Sequence, residues 1–486
     1  MNLHLLSTLP ATPPAALILP YLEDAIDWTA VQAATGLDLQ GEFKGQYKEV
    51  LTVYVPGGGR KVLLMGLGKA QDLPRAAQAF RSLAFQHQSK WGQSLTLDLR
   101  HLPEGLVLEA ALGLHLATYQ PGLFKTGDTP QPALAAAAFE VQIIHTAPEA
   151  KALAAEARHT AATQAAMMRL VDSPANKKTP QDLAAYAQDS ARQHGYEATV
   201  LDREALQREG LHALLAVGQG SPCPPVLICL RYCPPHLAGT RPQIGLAGKG
   251  VTFDTGGISI KGSNNMHYMK SDMGGAAAVL GAVELAARLR LGLHVVGVIP
   301  ATENSVDALS IRPGDVIGSY AGKTIEVIDT DAEGRLILAD ALAYLVAQYD
   351  PEVLIDLATL TGSCVQTLGY TAAGLFSNDD ALAEALAAAG RQVYERVWRL
   401  PLWADYEADL HSDLADLRNF SGKPVAGAIT AAKFLERFTS GHPRWAHLDI
   451  AGVAFGDSEF AKMRSATGYG VRLLRSYMAT WAGGGV

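Results

Sequence analysis

The chain has 486 residues, 48% hydrophobic and 18% charged, which is typical of a folded protein with sizeable cores and predicts about two or three domains. Its formal net charge of −8 gives no global support for binding nucleic acid or an anionic membrane surface. The first residues lack the basic segment of a signal peptide, and no apolar run approaches the ~20 residues of a membrane span. We therefore expect a cytoplasmic protein.

The first 145 residues alternate short apolar runs with helical patterns, which predicts an N-terminal α/β domain. The expected elements are a strand over 51–55, a hairpin turn over 56–59, a second strand over 61–68, a helix over 76–89 and a third strand over 139–144. Gly66-Leu67-Gly68 lacks the third glycine of a dinucleotide-binding motif, so a nucleotide site here is weakly supported.

Residues 147–171 are rich in Ala, Glu, Lys, Gln and Met, and after Pro148 this stretch contains no proline or glycine, which predicts a long helix. This helix divides the chain into an N-terminal domain over 1–146, a linker helix over 147–172 and a C-terminal domain over 173–486. A second helix is expected to begin at Thr179-Pro180, with Thr179 as its cap and Pro180 in its first position.

Beyond residue 195, strand-like and helical stretches alternate, which predicts a central, mostly parallel sheet flanked by helices. The expected strands are 226–230, 243–247, 294–299, 324–328, 353–357 and 446–450. The expected helices are 274–289, 336–347, 380–395 and 428–438. In such folds ligands bind at the carboxyl ends of the strands. The cysteines lack the paired spacing of a zinc ribbon and are expected to be reduced thiols: Cys223, Cys229, Cys233 and Cys364.

Two acidic clusters fall at such strand ends. Asp331 and Glu333 follow the strand 324–328 in a predicted strand-to-helix turn, and Arg335 comes two residues later. Alone, these acids are explained by the favourable field at a helix N-terminus. Asp254, after the strand 243–247, and Asp272, before the next helix, would meet them at the same edge. Four adjacent carboxylates repel one another unless cations intervene, which indicates divalent metal ions.

Other site types fit less well. The loop Gly248-Lys249-Gly250 suggests a phosphate cradle, but Gln243 stands where the first glycine of a Walker motif belongs, and Gly250 follows the lysine. An ATP- or phosphate-dependent enzyme is therefore a minor alternative. The sequence contains neither the His-Glu-x-x-His of helix-borne zinc proteases nor the Gly-x-Ser-x-Gly of serine hydrolases.

Seven motifs occur in order along the second part of the chain. They are Gly248 to Gly257, Lys270 to Gly275, Asp331-Ala332-Glu333-Gly334-Arg335-Leu336, Ala415 to Asn419, Gly427 to Ala432, Trp445-Ala446-His447-Leu448-Asp449-Ile450-Ala451-Gly452 and Thr467 to Arg472. Together these stretches resemble the leucyl aminopeptidases, a family of cytosolic dinuclear-metal exopeptidases, and the resemblance covers roughly residues 165–485. It implies a variable N-terminal domain and a hexamer with the C-terminal domains packed centrally.

The resemblance also implies roles for individual residues. It implies metal ligation by Lys249, Asp254, Asp272, Asp331 and Glu333. Lys261 would stabilise the oxyanion of the tetrahedral intermediate, and Arg335 would hold a bicarbonate ion that acts as general base. The substrate pocket would be shaped by Met269, Thr359, Leu360, Gly362 and Ala451. Structural alternatives are a solvated lysine at Lys249, a salt bridge at Lys261, an ion pair between Arg335 and Glu333 or Asp331, and core packing for Met269 and Ala451.

We therefore expect an aminopeptidase with a leucine-type preference and two divalent ions per subunit, Zn²⁺ or Mn²⁺, with Mg²⁺ and Co²⁺ as alternatives. Its partners would be peptide substrates and copies of itself. A noncatalytic DNA-binding role, as in some bacterial members, is the alternative, although the net charge does not support it. One position departs from the family pattern: Asp329 stands where asparagine is usual, and it would either add charge near the metals or cap the turn.

Overall fold

A computed structural model describes residues 1–11, 14–55, 60–122, 124–127 and 131–482. The chain forms two units, which are Met1–Ala165 with Glu459–Lys462, and Ala166–Ser458 with Met463–Val486. Each unit has its own hydrophobic core of buried aliphatic and aromatic side chains. The predicted fold class, two α/β domains with a mostly parallel sheet in the second, is confirmed.

The first unit is built on a six-stranded sheet with the order β1-β6-β5-β2-β4-β3. Only the β3–β4 hairpin is antiparallel, and its predicted turn at 56–59 lies outside the described residues. The central strand β2 is buried along its whole length, as expected for a parallel strand covered on both faces. The elements are β1 Asn2–Leu6, β2 Ala16–Tyr21, α1 Trp28–Thr35, β3 Val50–Tyr54, β4 Lys61–Gly66, α2 Ala76–His87, β5 Ser94–Asp98, α3 Gly105–Leu116 and β6 Glu140–Ile144.

The predicted long helix is present as α4, Ala150–Asp172. The division between the two units falls within it, between Ala165 and Ala166. The predicted domain boundaries at residues 146 and 172 remain predictions. The next helix, α5 at Pro180–His194, begins as expected, because the Thr179 side chain accepts a hydrogen bond from the Asp182 amide and Pro180 takes the first position.

The second unit contains a nine-stranded sheet in which β16-β15-β18-β14-β9-β11-β8-β7 are neighbours and β10 pairs with β11. The central pairs are parallel and the pairs β7–β8, β8–β11 and β15–β18 are antiparallel. The strands of the whole unit are β7 Glu197–Leu201, β8 Val226–Tyr232, β9 Ile244–Gly248, β10 Gly250–Asp254, β11 Val295–Asn304, β12 Val316–Ile317, β13 Ile325–Glu326, β14 Val353–Ala358, β15 Ala373–Ser377, β16 Val397–Arg399, β17 Leu417–Arg418, β18 Trp445–Asp449, β19 Phe455–Gly456 and β20 Ser465–Ala466.

Helices cover this sheet. They are α6 Arg203–Glu209, α7 His212–Gly218, α8 Gly274–Arg288, α9 Glu333–Tyr349, α10 Gly362–Leu368, α11 Asp380–Gln392, α12 Gly427–Glu436 and α13 Val471–Ala482. Helix α8 is buried on nearly every side, because glycine and alanine let it lie close to the strands. None of the described helices is long and apolar enough to cross a membrane, and the four cysteines are free thiols.

Two predictions of local structure are wrong. The stretch 324–328 is not a strand of the main sheet, because only Ile325–Glu326 forms ladder pairs, within a separate three-stranded sheet. The following amides bond elsewhere: Val327 N–H to the Asp315 carbonyl and Ile328 N–H to the Asn419 side chain. The glycine-rich stretch after residue 248, predicted as a loop, is largely the strand β10, which pairs in parallel with β11.

Candidate active site

Two glycines bring the candidate site together at the carboxyl end of β9. A Cβ atom at Gly275 would lie 2.0 Å from the Leu357 carbonyl oxygen, and one at Gly248 would lie 2.6 Å from the Gly275 carbonyl oxygen. Only glycine therefore lets the start of α8 approach β9 and β14 this closely. Lys249 follows Gly248 directly, and its carbonyl accepts the Ala276 amide at 2.8 Å.

Asn419 holds the turn that leads into α9. Its Oδ1 accepts the amides of Ile328 and Asp329 at 2.8 and 3.3 Å, and its Nδ2 donates to the carbonyls of Asp329 and Ala332 at 2.7 and 3.3 Å. One buried side chain thus satisfies four backbone groups of the turn. Glu333 is the first residue of α9, so the turn fixes where its carboxylate lies.

Three buried carboxylates converge beside these elements. Asp254 ends β10, Asp272 lies two residues before the start of α8, and Glu333 begins α9. One oxygen from each lies within 4.8 Å of the others. Asp331, the fourth predicted ligand, is more exposed and contacts the cluster through Lys261, because its Oδ1 and the Asp254 Oδ2 both approach the Lys261 Nζ.

Two lysines stand among these acids. The Lys249 Nζ lies 2.8 Å from Asp272 Oδ2 and 2.9 Å from Glu333 Oε1, and it donates to the Thr359 carbonyl at 2.9 Å. Lys261 Nζ lies 2.8 Å from Asp254 Oδ2. In this structure both ammonium groups therefore act as counterions to the acid cluster, and the salt bridge considered for Lys261 is present.

Burial and repulsion between neighbouring acids raise the pKa values of Glu333 and Asp272. Burial, followed by repulsion from Asp254, raises the pKa of Glu333 to about 8. Burial raises the pKa of Asp272 to about 6, against the pull of Lys249. Burial opposes the charge of Lys249, but the surrounding carboxylates outweigh it and hold the pKa of this lysine above its usual value. The chain thus concentrates negative charge where water is scarce, an arrangement that divalent cations stabilise.

The sequence analysis missed Asn304, the last residue of β11. Its buried Nδ2 donates to Asp254 Oδ1 at 2.8 Å and to the Thr330 carbonyl at 3.0 Å, and it lies 3.5 Å from Glu333 Oε2. A side chain that bonds two predicted ligands fixes their orientation. The predicted strand ended at residue 299, which placed Asn304 in a loop, whereas β11 delivers it to the same edge as Asp254.

Arg335 is the third residue of α9 and is buried. Its Nη1 donates to the Asn419 carbonyl at 2.8 Å, and its Nε has no hydrogen-bond partner among the described residues. Burial lowers the pKa of Arg335 to about 10, against the attraction of Glu333 and Asp449. Within the described chain Arg335 forms no ion pair with Glu333 or Asp331, so the ion pair considered for it is not formed.

The predicted pocket residues come from three segments of the second unit. Met269 lies in a short 3₁₀ helix, Met266–Ser271, and Ala451 follows β18; both are half-buried rather than packed in the core. Thr359 and Leu360 follow β14, and Gly362, which begins α10, is exposed. The Thr359 hydroxyl donates to Asp272 Oδ1 at 2.7 Å, which brings this loop into contact with the acids.

Asp329 adopts the capping arrangement. Its Oδ1 accepts the Asp331 amide at 2.9 Å, and its carbonyl accepts the Asn419 side chain. Its charge also raises the pKa of Asp331, although burial and Asp254 contribute more. Both possibilities considered for this residue, a turn cap and an added charge near Asp331, are therefore present together.

The donor set fits divalent metal ions. Asp272 Oδ2 is buried, and Lys249 Nζ lies 2.8 Å from it without a hydrogen bond of good geometry, so this oxygen has no bonded donor among the described residues. The other members of the cluster also offer hard carboxylate oxygens, which suit Mn²⁺ and Mg²⁺ and which zinc accepts. Two such ions can polarise a carbonyl group and acidify a water molecule.

Comparisons with known proteins agree with this geometry. Residues 165–475 match the cytosol aminopeptidase family, catalytic domain, and residues 22–128 match the N-terminal domain of the same family. A probable cytosol aminopeptidase from Chlorobium phaeobacteroides is 42% identical over 465 residues, which cover 91% of each chain.

Solved structures have the same fold. A mutant of tomato leucine aminopeptidase superposes with a TM-score of 0.87 at 30% identity, covering 99% of this chain and 96% of that chain. The bottromycin maturation enzyme BotP in complex with Mn superposes with a TM-score of 0.82 at 32% identity, covering 96% of this chain and 99% of that chain. Matched in both of its domains and along most of its length, the chain belongs to the cytosol aminopeptidase family.

Proposed function

We propose that this chain is a dinuclear-metal aminopeptidase that releases N-terminal residues from peptides, with a leucine-type preference. The observation that carries the proposal is the buried cluster of Asp254, Asp272 and Glu333, whose carboxylate oxygens lie within 4.8 Å of one another. Family membership supports peptide hydrolysis, and the Mn-bound relative supports the use of divalent metal.

In this proposal Asp254, Asp272, Asp331, Glu333 and Lys249 hold two divalent ions, Zn²⁺ or Mn²⁺. When bound, the ions supply Lewis acidity, which polarises the scissile carbonyl and lowers the pKa of water. Lys249 would act through its neutral amine, because an ammonium group has no lone pair to offer. The raised pKa values of Glu333 and Asp272 support a site that is incomplete without positive charge.

Lys261 is assigned to the oxyanion that develops on the scissile carbonyl. Its Nζ is already aimed at the acid cluster by contacts with Asp254 and Asp331, so little reorganisation is needed when negative charge appears nearby. Arg335 would hold a bicarbonate ion, which would supply a general base. Its unpaired Nε and buried setting support the binding of a small planar oxyanion.

The remaining features of the proposal concern specificity and assembly. Met269, Thr359, Leu360, Gly362 and Ala451 would form the pocket for the N-terminal residue. A homohexamer is supported by large apolar side chains that the second unit exposes to solvent, among them Trp398 at 66%, Trp403 at 64% and Leu414 at 71%. We place the enzyme in the cytoplasm, as the name of its relatives suggests.

The test is a panel of aminoacyl p-nitroanilides assayed with chelator-stripped protein refilled separately with Zn²⁺, Mn²⁺, Co²⁺ or Mg²⁺. We expect turnover only after refilling, with leucine among the best substrates. Glu333→Gln keeps the size of the side chain but removes a ligand charge, and we expect it to lose at least ~100-fold in turnover together with metal content. Turnover of the panel by metal-stripped protein, or full activity in Glu333→Gln, would contradict the proposal.

Two alternatives are separated by binding experiments. A DNA-binding role has no support in the net charge, and a salt-dependent gel shift of duplex DNA would reveal it. A nucleotide-dependent enzyme would need Lys249 free for phosphate, whereas this lysine contacts Asp272 and Glu333. Binding of ATP in the presence of Mg²⁺ would support that alternative.

A further inference from the structure

Asp449, the last residue of β18, has a fully buried carboxylate that the proposed chemistry does not use. Its Oδ1 accepts the backbone amides of Leu360 and Ala451, each at 3.2 Å. Its Oδ2 accepts the Thr361 hydroxyl at 2.6 Å. All three hydrogen bonds that reach this carboxylate from the described residues come from uncharged donors.

A carboxylate suits this position because it offers two acceptor oxygens and no hydrogen atoms. An amide side chain would present an NH₂ group to at least one of the three donors. Hydrogen bonds to an ionised acceptor are also stronger than those between neutral groups, and removing water strengthens them further. The three hydrogen bonds therefore hold Leu360, Thr361 and Ala451 against the same carboxylate.

These bonds join the ends of two neighbouring parallel strands. Asp449 is paired in register with Ala358, the last residue of β14. The Leu360 and Thr361 bonds reach the loop after β14, and the Ala451 bond reaches the loop after β18. Thr361 Oγ1 also accepts the Cys364 amide at 3.0 Å, which fixes the start of α10 against the same carboxylate.

The loop held by Asp449 contacts two of the predicted metal ligands. Thr359, one residue before Leu360, accepts a hydrogen bond from Lys249 Nζ at its carbonyl oxygen and donates its hydroxyl to Asp272 Oδ1, at 2.9 and 2.7 Å. A shift of the loop would therefore move the partners of both ligands. Asp449 does not contact the acid cluster itself. It bonds Leu360, and the preceding residue, Thr359, bonds Lys249 and Asp272.

We propose that Asp449 is a positioning residue of the active site, which sets the loop 359–361 and, through Thr359, the placement of Lys249 and Asp272. Its kinetic consequences rest on the proposed peptide hydrolysis, whereas its effect on Mn²⁺ affinity rests only on the proposed metal ligation. Displacing reacting groups by a fraction of an ångström lowers the rate of the bound complex more than it weakens binding. Loss of these bonds should therefore lower kcat rather than raise KM.

The matched variants Thr361→Val and Thr361→Ser test the proposal without removing the buried charge. Serine keeps the hydroxyl bond to Asp449, and valine keeps the size of threonine but loses the hydroxyl. We expect Thr361→Val to lower kcat for leucine p-nitroanilide by about tenfold, with KM within about twofold of wild type. Its affinity for Mn²⁺, measured by calorimetry on the stripped full-length protein, should fall several-fold, while Thr361→Ser should match wild type in both measurements.

Asp449→Asn separates the Asp449 bonds from the cap that Thr361 gives α10, because this variant retains the hydroxyl and its bond to Cys364. We expect kcat and Mn²⁺ affinity between those of wild type and Thr361→Val, with the circular dichroism spectrum unchanged. Wild-type behaviour of Asp449→Asn beside an impaired Thr361→Val would assign the effect to the helix cap and overturn the proposal. Equal losses in the valine and serine variants would also overturn it.

The calorimetric measurement keeps this proposal separate from the proposed function. If the wild type hydrolyses none of the aminoacyl substrates, the aminopeptidase assignment fails, but the Mn²⁺ affinities of the variants still decide the role of Asp449. Wild-type Mn²⁺ affinity in both Thr361→Val and Asp449→Asn would show that the loop does not position Lys249 or Asp272.

Discussion

Individual side chains in this site hold one another in place before any substrate arrives. Asn304 bonds Asp254 and lies 3.5 Å from Glu333 Oε2, and Asn419 fixes the turn before Glu333. An asparagine side chain combines a hydrogen-bond donor and an acceptor in one group, so a buried asparagine can bond both carbonyl or carboxylate oxygens and amide N–H groups. Substitutions at the residues that act on the substrate should therefore change rates without disturbing the fold.

Lys261→Met should lower kcat by about a hundredfold or more and change KM little, since the charge that Lys261 meets develops only in the transition state. Methionine keeps roughly the length of the lysine side chain and removes its positive charge. Steady-state kinetics with leucine p-nitroanilide at saturating Mn²⁺ would measure the effect. If the variant retained kcat and bound substrate more weakly, Lys261 would have to be assigned to substrate binding.

Asp329→Asn should raise the Mn²⁺ concentration needed for half-maximal activity, because it removes a negative charge close to Asp331 while keeping an acceptor for the Asp331 amide. Asp329→Ala removes both the charge and the hydrogen bond, so its shift should be larger. Parallel Mn²⁺ titrations of the stripped proteins measure both shifts. Superimposable curves for wild type and Asp329→Asn would show that the charge has no influence on the metals.

At the scale of secondary structure, α9 links the active site to the distant start of α7 through Asp340. Its fully buried carboxylate accepts the amides of Ala213, Leu214 and Tyr320 at 2.8, 3.0 and 2.7 Å. Burial raises the pKa of Asp340 to about 7, although these three hydrogen bonds favour the ionised form. The carboxylate thus serves as a cap supplied by another helix.

The raised pKa of Asp340 predicts a pH-dependent contribution to stability. A carboxyl whose pKa is higher in the folded than in the unfolded chain stabilises the fold fully below its unfolded pKa of 3.8, and this stabilisation is lost as the pH rises through about 7. Asp340→Asn cannot ionise, so the wild-type advantage in unfolding free energy should shrink from pH 5 to pH 8, by on the order of 2–4 kcal/mol.

Urea unfolding of both metal-stripped proteins at several pH values would measure this difference. Stripping removes the separate pH dependence of metal binding from the comparison. A wild-type advantage that stays constant from pH 5 to pH 8 would show that Asp340 has an ordinary pKa in the folded chain.

The sequence predicts helices and strands well where the hydrophobic periodicity is strong. It predicts them less well where side chains, and not a neighbouring strand, accept the backbone hydrogen bonds. The long helix α4, the capped start of α5 and the parallel strands β9 and β14 are confirmed with small shifts at their ends. The stretch 324–328 has a strand-like pattern, but Asn419 takes the Ile328 amide that a sheet would have used. Such tertiary bonds cannot be seen in a local pattern.

The predictions for the candidate site divide in the same way, into those that a local pattern supports and those that depend on tertiary contacts. Asp254 and Asp272 could be expected at one edge because the carboxyl ends of parallel strands meet there. Glu333 is expected at the same edge from a strand at 324–328 that is not part of the main sheet, and it reaches the other two acids through the turn that Asn419 holds. Asn304 and Asp449 could not be given their contacts from the sequence. Apart from Ala451, which is two residues from Asp449, the partners named for them lie between 26 and 89 positions away along the chain, and nothing in their spacing marks the pairing. The roles of the predicted ligands await the experiments above.

For the whole molecule, we expect a native mass about six times the 51.5 kDa of the chain. Isolated exposed apolar side chains are common, but several large ones on one unit favour burial against other subunits. Sedimentation velocity at micromolar and nanomolar concentrations would measure the mass and its dependence on dilution. A single species at the mass of one chain would contradict the hexamer.

The ammonium groups of Lys249 and Lys261, which lie among the acids, bear on whether the protein can fold without metal. Because the chain supplies two positive charges to its own acids, we expect it to fold without metal, unlike small zinc domains whose binding energy is their folding energy. If the proposed function holds, removing metal should then abolish activity and leave the fold intact, and refilling should restore activity without a refolding step.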